Sequence, residues 1–483
     1  MKNVISALAF VFLFSFPAKA GGQPGFGLDS INAADISGIV PTPVSGAAPA
    51  AAVKPRSAQP KEWTVMFYST TKDKLHSALM WQLLEMKKIG STAKVNVVVQ
   101  AAFPVKGFDG KISTPTVRMA LGAAANSDEL DKKIEAFFNG GGAIDESLLS
   151  TFSADIVTRT NNTDTGNWRN VSDFTKWAKA NYPARRYSFV IYGHGNGIFD
   201  QKKTNKGTLI DTDTQNYVTL PEMRLMMAET GKVDIFVMTS CIMQMAEVAW
   251  QIKDYTDVVV GSSELMSAVG YDLNGMIATL NSNPGVSSAQ LGTQLTDGYI
   301  ERIKAFKIPG GHASVILTSK LPAFADKLNA WVDAEMALKD TAAITSARNN
   351  VARFDIFGIT TATTTVSLAQ KFSISGDLYD FVSLMTAAQP QDTPERKLAA
   401  QKGRELMDFI SKDLVYKYSY VGVSNTGFDY ARAHGVSIHI APIRILGATL
   451  ADFEKNEETL YWDLPFTKET RWGGFLSWIY GRR

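Results

Sequence analysis

The chain has one cysteine, Cys241, and only five histidines among its 483 residues. A single cysteine excludes an intramolecular disulfide framework. The histidines lie apart from any cysteine or cluster of carboxylates at metal-ligand spacing, which argues against a zinc site. The sequence also lacks a Walker loop, a G-x-G-x-x-G fingerprint after a strand and a G-x-S-x-G elbow. These absences exclude the commonest nucleotide-binding and serine-hydrolase motifs.

The sequence also lacks an excess of charge of either sign. The 49 Lys and Arg residues against 47 Asp and Glu residues leave a formal net charge of +2. This balance gives no reason to expect nucleic acid or an anionic membrane as a partner. With 45% hydrophobic residues, the chain can bury a substantial core, in one large domain with appended elements or in two closely packed ones.

The N-terminal region has the pattern of an export signal. Residues 1–20 combine Lys2 with an apolar run and end in Ala-Lys-Ala, which predicts a signal peptide cleaved after Ala20. A retained, uncleaved anchor is the alternative. No later window is apolar over about 20 residues, so we expect no stable membrane insertion after cleavage, and a periplasmic or secreted protein. Residues 21–60 are rich in Ala, Gly and Pro and are predicted to form a flexible leader or a pro-segment.

From residue 61 onward, short apolar runs alternate with segments of helical spacing. The predicted strands include 63–68, 94–100, 117–121, 187–192, 233–238 and 257–261. The predicted helices include 74–88, 172–181 with Ser172 as N-cap, 221–230, 322–338, 377–388 and 395–415. This alternation predicts an α/β fold with a mainly parallel central sheet and helices on both faces. We assign residues 61–300 to the core and 301–483 to a C-terminal α/β region packed on it.

Two residues of chemical interest follow predicted strands. His194 comes after strand 187–192, and Cys241 comes after strand 233–238, close to the N-terminus of the next predicted helix. Parallel strands present their C-terminal ends at one edge of the sheet, where ligands bind in open α/β folds. We therefore expect His194 and Cys241 to be neighbours, and a helix N-terminus beside Cys241 favours its thiolate.

Such a pair can perform nucleophilic catalysis. The imidazole can take the thiol proton and later protonate the leaving amine. Glycines on both sides of His194 allow close approach of the backbone, so the amides of Gly195 and Cys241 are candidate oxyanion donors. The alternatives are an inert buried thiol, a flexible G-H-G-N-G turn with an ordinary histidine, or a homodimer linked through Cys241.

Four segments together resemble the clostripain-like cysteine peptidases of the caspase-like clan. They are FVIYGHGNG, VDIFVMTSCIMQMAEVAWQIKDY, VVVGSSE and GVSIHIAP, and the resemblance runs from about residue 63 to residue 442. Its most specific part is the stretch from Cys241 to Glu247. The resemblance implies a caspase-like fold, with Cys241 as nucleophile, His194 as general acid/base and the Gly195 and Cys241 amides as the oxyanion hole. Glu247 is expected to be structural.

The resemblance also bears on maturation and specificity. Members are often cleaved between the His and Cys strands, and the loop 201–207 offers Lys203 and Lys206 as processing sites. The family usually has an Asp two residues before the nucleophile to bind a basic P1 side chain, but this chain has Thr239. A neutral Thr cannot pair with a buried cation. Either Asp272 or Glu264 supplies the charge, or specificity has moved away from Arg and Lys.

The leading hypothesis is an exported cysteine endopeptidase that acts on protein or peptide substrates through a Cys241 thioacyl intermediate. The alternative is a non-catalytic exported binding protein on a peptidase scaffold. The chemistry requires no cofactor or metal. Calcium dependence is implied by the resemblance alone, since no dense acidic loop demands it. The sequence leaves the oligomeric state open.

Overall fold

The computed structural model describes residues 59–198, 207–355, 372–424, 428–441 and 461–481. The predicted signal peptide, nearly all of the leader, and Lys203 and Lys206 lie outside these residues. The strands are β1 (Lys61–Ser69), β2 (Val95–Ala102), β3 (Val105–Lys106), β4 (Ile112–Ser113), β5 (Thr116–Ala120), β6 (Ile156–Thr160), β7 (Ala184–Tyr192), β8 (Val233–Thr239), β9 (Thr256–Gly261), β10 (Gly310–Leu317), β11 (Arg353–Asp355), β12 (Phe372–Asp377), β13 (Val415–Gly422) and β14 (Ser437–His439). The helices are α1 (His76–Ile89), α2 (Ser127–Asn139), α3 (Glu146–Leu149), α4 (Trp168–Asn181), α5 (Leu220–Thr230), α6 (Ala246–Ile252), α7 (Leu273–Ser282), α8 (Ser288–Ala305), α9 (Leu321–Leu338), α10 (Thr341–Asn350), α11 (Leu378–Ala388), α12 (Pro394–Phe409), α13 (Pro465–Glu469) and α14 (Trp472–Ile479).

A nine-stranded sheet in the order β13-β10-β9-β8-β7-β1-β2-β5-β6 forms the centre of the molecule. The strands from β9 to β2 in this order are parallel. Antiparallel pairs extend the sheet at both ends. Helices flank the sheet, so the predicted α/β architecture with a mainly parallel central sheet is confirmed. A smaller sheet, β11-β12-β14, is formed by the C-terminal half of the chain.

The central strands are mostly apolar toward their C-terminal ends because both of their faces are covered there. Every residue of β2 is buried, and in β8 only Asp234 is partly exposed. Continuous Val- and Ile-rich runs of this kind are typical of parallel strands between two helical layers. This burial explains why the apolar runs located the strands accurately in the sequence.

The chain order creates a crevice between β1 and β7. From β1 the chain passes to β2 on one side, whereas β7, β8 and β9 follow one another on the other side. In open α/β sheets, ligands bind outside the carboxyl ends of the strands at such a switch point. Ser69 pairs with Tyr192, and Tyr192 pairs with Thr239, so β1, β7 and β8 end at the same level.

Two local predictions are wrong. Ser172 is not an N-cap: α4 begins at Trp168, and the Asn167 side chain caps it by accepting the Arg169 N–H at 3.0 Å. An Asn at this position satisfies a helix N–H that would otherwise have no partner. Residues 395–415 are not one helix either, since α12 ends at Phe409 and a π-helical turn leads into β13. Pairing with β10 holds β13 in the sheet from Val415 onward.

The region beyond residue 300 contributes to the main sheet. Both β10 and β13 follow the predicted boundary, and β10 pairs with β9. The division into a core and a C-terminal region therefore stays a prediction. We use the name C-terminal layer for β14 together with residues 461–481, which contain the last helices. Within the described part of the chain, no helix combines the length and the apolarity needed to cross a membrane.

Candidate active site

Three adjacent parallel strands are each followed by a polar residue at the same edge of the sheet. We call this edge, at the carboxyl ends of β1, β7 and β8, the rim. Asp73 follows β1, His194 follows β7 and Cys241 follows β8. The rim segments contact one another directly, since the Gly193 N–H donates to the Thr239 carbonyl at 3.2 Å. The site therefore lies at the switch point that the topology creates.

The turn that carries His194 is fixed by an antiparallel bridge between Gly195 and Thr208. The Asn196 N–H donates to the Gly207 carbonyl at 3.0 Å, and the Leu209 N–H donates to the His194 carbonyl at 3.2 Å. These two bonds close the bridge without using the Gly195 amide. The glycine N–H therefore remains available in this pairing for another acceptor at the rim.

Gly195 lies against the turn that carries Cys241. A Cβ atom at position 195 would be 2.7 Å from the Cys241 carbonyl oxygen and 2.8 Å from Ser240 Cβ. Real Cβ atoms do not approach other atoms this closely, so only glycine fits. The structure thus brings together the two turns whose proximity was expected from the ends of their strands.

Cys241 is buried, and its Sγ atom accepts the Met266 N–H at 3.2 Å. The next residue, Ile242, has a φ of 59°, a left-handed conformation that is rare for a β-branched side chain. Such a conformation costs about 1–3 kcal/mol and persists only where surrounding contacts impose it. Here the Ile242 N–H donates to the Glu264 carbonyl at 3.1 Å. The turn that carries Cys241 is therefore strained and is held by a contact from another segment.

The prediction that Cys241 stands close to a helix N-terminus is wrong. Helix α6 begins at Ala246, and the turn 241–245 separates it from the cysteine. The turn exists because its backbone bonds to other segments instead of starting a helix: the Gln244 N–H donates to Ser262 at 3.1 Å, and the Gln244 carbonyl accepts the Ser437 N–H at 3.1 Å. A helix dipole is thus not the feature that stabilises a thiolate here.

Behind this turn, Glu247 connects α6 to the C-terminal layer. Its Oε1 accepts the His439 N–H at 2.8 Å and the Tyr461 hydroxyl at 3.1 Å. Burial raises the pKa of the Glu247 carboxyl to about 7, despite these hydrogen bonds to it. Its contacts are to structural elements, in keeping with the structural role expected for it.

Asp73 is a member of the site that sequence reasoning missed. Its Oδ2 is hydrogen-bonded to Nε2 of His194, and its Oδ1 accepts the Leu75 N–H at 3.0 Å. Burial by itself raises the pKa of the Asp73 carboxyl, but the hydrogen bond and charge of His194 outweigh it, and the pKa lies below its ordinary value. A signal was available, since Asp73 follows a predicted strand in the same way as His194 and Cys241.

The residue before Asp73 anchors this segment to the protein interior. Lys72 Nζ lies 2.9 Å from Asp211 Oδ2, and both side chains are buried. Asp211 also accepts the N–H and the hydroxyl of Thr165, each at 2.8 Å. Burial opposes ionisation of Asp211, but Lys72 and these donors hold the pKa of its carboxyl below the ordinary value. The ion pair thereby fixes the backbone that positions Asp73.

Of the residues expected to bind the substrate side chain, Thr239 and Glu264 lie at the turn that carries Cys241. Thr239 is buried, and a Cβ atom added to Gly270 would be 3.0 Å from its Cγ2 atom. Glu264 is buried, and its carboxylate accepts the Leu265 N–H at 2.7 Å. Asp272 caps α7 and lies 3.3 Å from Arg302 Nη2. Their roles in specificity stay predictions, and Asp272 already has two structural partners.

Among the residues that the structure describes, no group of three or more His, Cys, Asp or Glu side chains is placed to hold a metal ion. The chemistry of the rim is that of a thiol, an imidazole and a carboxylate. Calcium dependence stays a prediction of the family resemblance.

The model of the clostripain family matches residues 138–478. A secreted C11 cysteine protease from Bacteroides thetaiotaomicron, iotapain, has a TM-score of 0.56 at 14% identity, covering 86% of this chain and 99% of its own. The structure of a secreted C11 cysteine protease from the same bacterium, in complex with an irreversible peptide inhibitor, gives a TM-score of 0.52 at 14% identity, with coverages of 84% and 99%.

A third similar structure is that of an inactive zymogen C11 protease from Parabacteroides distasonis. It has a TM-score of 0.54 at 15% identity, and the alignment covers 86% of this chain and 99% of that one. At these identities the structural likeness shows the fold alone. No curated protein sequence gives a significant match.

Proposed function

Because the chain belongs to the clostripain family and is a cysteine-type peptidase, we propose that Cys241 is its nucleophile and His194 its general acid/base. The observation that carries this proposal is the close approach of the two turns, with Gly195 packed against the Cys241 carbonyl. Nucleophilic catalysis by a thiol requires a base within reach, and these strand ends supply one. Substrates are peptides or proteins.

The reaction follows from these roles. His194 takes the Cys241 proton as the thiolate attacks the carbonyl carbon of the scissile bond. The Gly195 and Cys241 amides donate to the oxyanion as it forms. The C–N bond then breaks, His194 protonates the leaving amine, and a thioester to Cys241 remains. Water, deprotonated by His194, attacks the thioester to release the carboxylic acid and restore the thiol. No cofactor takes part.

We further propose that the enzyme is exported and matures by cleavage in the loop that contains Lys203 and Lys206. The N-terminal sequence pattern supports export, and two of the similar solved structures are described as those of a secreted protease. The zymogen form of a third supports maturation. Mass spectrometry of the termini of the purified protein tests both proposals, because each cleavage leaves a defined new N-terminus.

A second candidate is a non-catalytic exported binding protein. The feature that favours it is the burial of Cys241 beneath Met266, together with Thr239 in place of an acidic residue. A binding protein of this kind would hold peptides at the rim without forming a thioester. It predicts that acylation of the thiol is slow at mildly acidic pH and accelerates as pH rises toward the ordinary cysteine pKa of about 8.5.

Turnover of a peptide library separates the two candidates. Cys241→Ala and His194→Ala should each reduce kcat at least about 1000-fold, as removal of a nucleophile or its base does in comparable sites. His434→Ala is a matched control, since this histidine stacks on Tyr379 in another part of the chain. Hydrolysis retained in the Cys241→Ala protein would refute the peptidase mechanism.

A further inference from the structure

We propose that Asp73 is a positioning residue for catalysis, which holds the His194 imidazole in the tautomer that serves Cys241. The inference rests on the proposed function, because it gives a third side chain a role in the same reaction. It is carried by the direct hydrogen bond between Asp73 Oδ2 and His194 Nε2 at the rim of the sheet.

The place of Asp73 in the fold favours this role. The strands that precede Asp73, His194 and Cys241 are adjacent and parallel, in the order β1-β7-β8. His194 therefore stands between the carboxylate on one side and the thiol on the other. A base in a catalytic site needs such a third group to orient it.

The Asp73 carboxylate is held in place by contacts other than its hydrogen bond to His194. Its Oδ1 atom accepts the Leu75 N–H at 3.0 Å, which leaves Oδ2 to accept from His194. Lys72, the preceding residue, is held in the interior by Asp211. Both the backbone and the side chain of Asp73 are thus constrained, as preorganisation of a positioning group requires.

The bond to Asp73 determines which nitrogen reacts. A carboxylate can only accept, so Nε2 of His194 carries a proton and donates it. Nδ1 is then the nitrogen that exchanges a proton with Cys241. When His194 becomes an imidazolium beside the thiolate, the Asp73 charge stabilises it.

Other groups also face Asp73 and affect its electrostatics. The His76 ring Nδ1 lies 2.6 Å from the Asp73 carbonyl, and burial lowers the pKa of that imidazole. The Tyr192 hydroxyl is buried nearby, and burial together with the Asp73 charge raises its pKa. Both groups are therefore neutral near neutral pH, so the charge that faces the Asp73 carboxylate is that of His194.

A purely structural role predicts a different outcome on substitution. If Asp73 served only to start α1, its bond to the Leu75 N–H would be its contribution, and an asparagine would supply the same acceptor. Asp73→Asn keeps the size and the turn but removes the negative charge. It also presents an amide whose N–H₂ group disfavours the required tautomer.

The experiment compares Asp73→Asn with wild type and with Asp213→Asn. Asp213 is a matched control, because it is a nearby acid that contacts Lys72 at 3.3 Å but lies outside the three-residue site. For Asp73→Asn we expect kcat to fall roughly 1000- to 10,000-fold, as for the equivalent substitution in a serine protease triad, with KM changed less than about threefold. The basic limb of its residual pH profile should move to lower pH, since imidazolium loses its stabilising charge. Asp213→Asn should match wild type.

The failures of the two proposals are distinguishable. If wild type hydrolyses nothing and Cys241 forms no acyl adduct, the proposed function is wrong. If wild type is active and Cys241→Ala is inactive, but Asp73→Asn retains wild-type kcat and pH profile, the role of Asp73 is overturned alone.

A measurement on the wild-type protein keeps the inference testable even if Asp73→Asn does not fold. The Nε2 proton shared with a carboxylate should give a far-downfield proton resonance, identified by its loss in His194→Ala. Absence of this resonance in folded, active wild type would overturn the inference.

Discussion

Two carboxylates, one on each side of the nucleophile turn, have opposite electrostatic states. Asp73 lies at the rim beside His194, with 16% of its side chain exposed, and its carboxyl pKa is lowered. Glu247 lies behind the turn, 1% exposed, and burial raises its carboxyl pKa to about 7. Both groups accept hydrogen bonds, but only Asp73 faces a group that can carry positive charge. A cationic partner, more than hydrogen bonding, therefore decides which carboxylate stays charged.

The difference between the two carboxyl pKa values distinguishes two sides of the turn. Asp73 lies on the side proposed to carry out the chemistry, and Glu247 lies on the structural side. At the rim, Lys72 and His194 compensate Asp211 and Asp73, so negative charge is maintained where a proton must move. Behind the turn, Glu247 binds β14 and Tyr461 without a cation. The C-terminal layer thus supports the shape of the turn and leaves its chemistry to the rim.

The largest effect should come from removing the cation that anchors the rim. Lys72→Met leaves Asp211 buried without its partner, which costs about 3–5 kcal/mol in comparable buried pairs. We expect this loss in the free energy of unfolding measured with urea, together with reduced kcat as Asp73 loses its fixed backbone. Lys232→Met, which breaks an exposed pair with Asp257, is the matched control and should cost less than about 1 kcal/mol. Equal effects of the two substitutions would remove the distinction between rim and surface.

On the structural side, Glu247 should have a smaller effect on the free energy of unfolding, and this effect should depend on pH. The Glu247 carboxyl pKa rises from 4.5 to about 7 on folding, so its ionisation opposes folding. The contribution of Glu247 to stability should therefore be greatest below about pH 4.5 and decline as pH rises toward and through about 7, by roughly 3 kcal/mol in total. Glu247→Gln keeps an acceptor for the His439 N–H but cannot ionise. We expect it to be more stable than wild type at about pH 8 by up to that amount.

Denaturant titrations of both proteins between about pH 5 and pH 8 measure this difference. The stability of the Glu247→Gln protein should vary less with pH than that of wild type. Parallel curves would show that Glu247 is already compensated in the fold, and the contrast with Asp73 would disappear.

The smallest effect concerns a third carboxylate, at the surface of the site. Asp272 is 40% exposed, caps α7 and contacts Arg302. Asp272→Asn preserves the cap, so we expect a stability change below about 1 kcal/mol and an unchanged ratio of cleavage after Lys or Arg to cleavage after neutral residues. Profiling both proteins with one peptide library checks this. Selective loss of cleavage after Lys and Arg would instead make Asp272 the acid that replaces the one missing at Thr239.

The sequence was sufficient to predict those features that depend on burial and on strand ends. Continuous apolar runs located β1, β2, β7, β8 and β9, and the rule that parallel strands end at one edge placed His194 near Cys241. The same rule applies to β1, but Asp73 lacked a recognisable motif and was missed. An Asp after a strand is common in turns, and only the fold shows that this one meets His194.

Other features depend on contacts between distant segments and could not be predicted locally. The turn 241–245 replaces the expected start of a helix because Gln244 bonds to Ser262 and Ser437, which are far away in sequence. The predicted helix 395–415 meets β13 at Val415, where the chain begins to pair with β10. Tertiary hydrogen bonding overrides local spacing in both cases.

The central claim is that charge at the rim activates Cys241 through a His194 held by Asp73. Its most direct test is the rate at which iodoacetamide alkylates the protein's single cysteine at about pH 5.5, where an ordinary thiol is only about 0.1% thiolate. Dividing each rate by the rate of the same protein at about pH 9.5, where an ordinary thiol is ionised, corrects for differences in access to Cys241, so the normalised rates report activation. We predict that wild type reacts at least about tenfold faster than either variant. Equal rates in all three proteins would contradict the account.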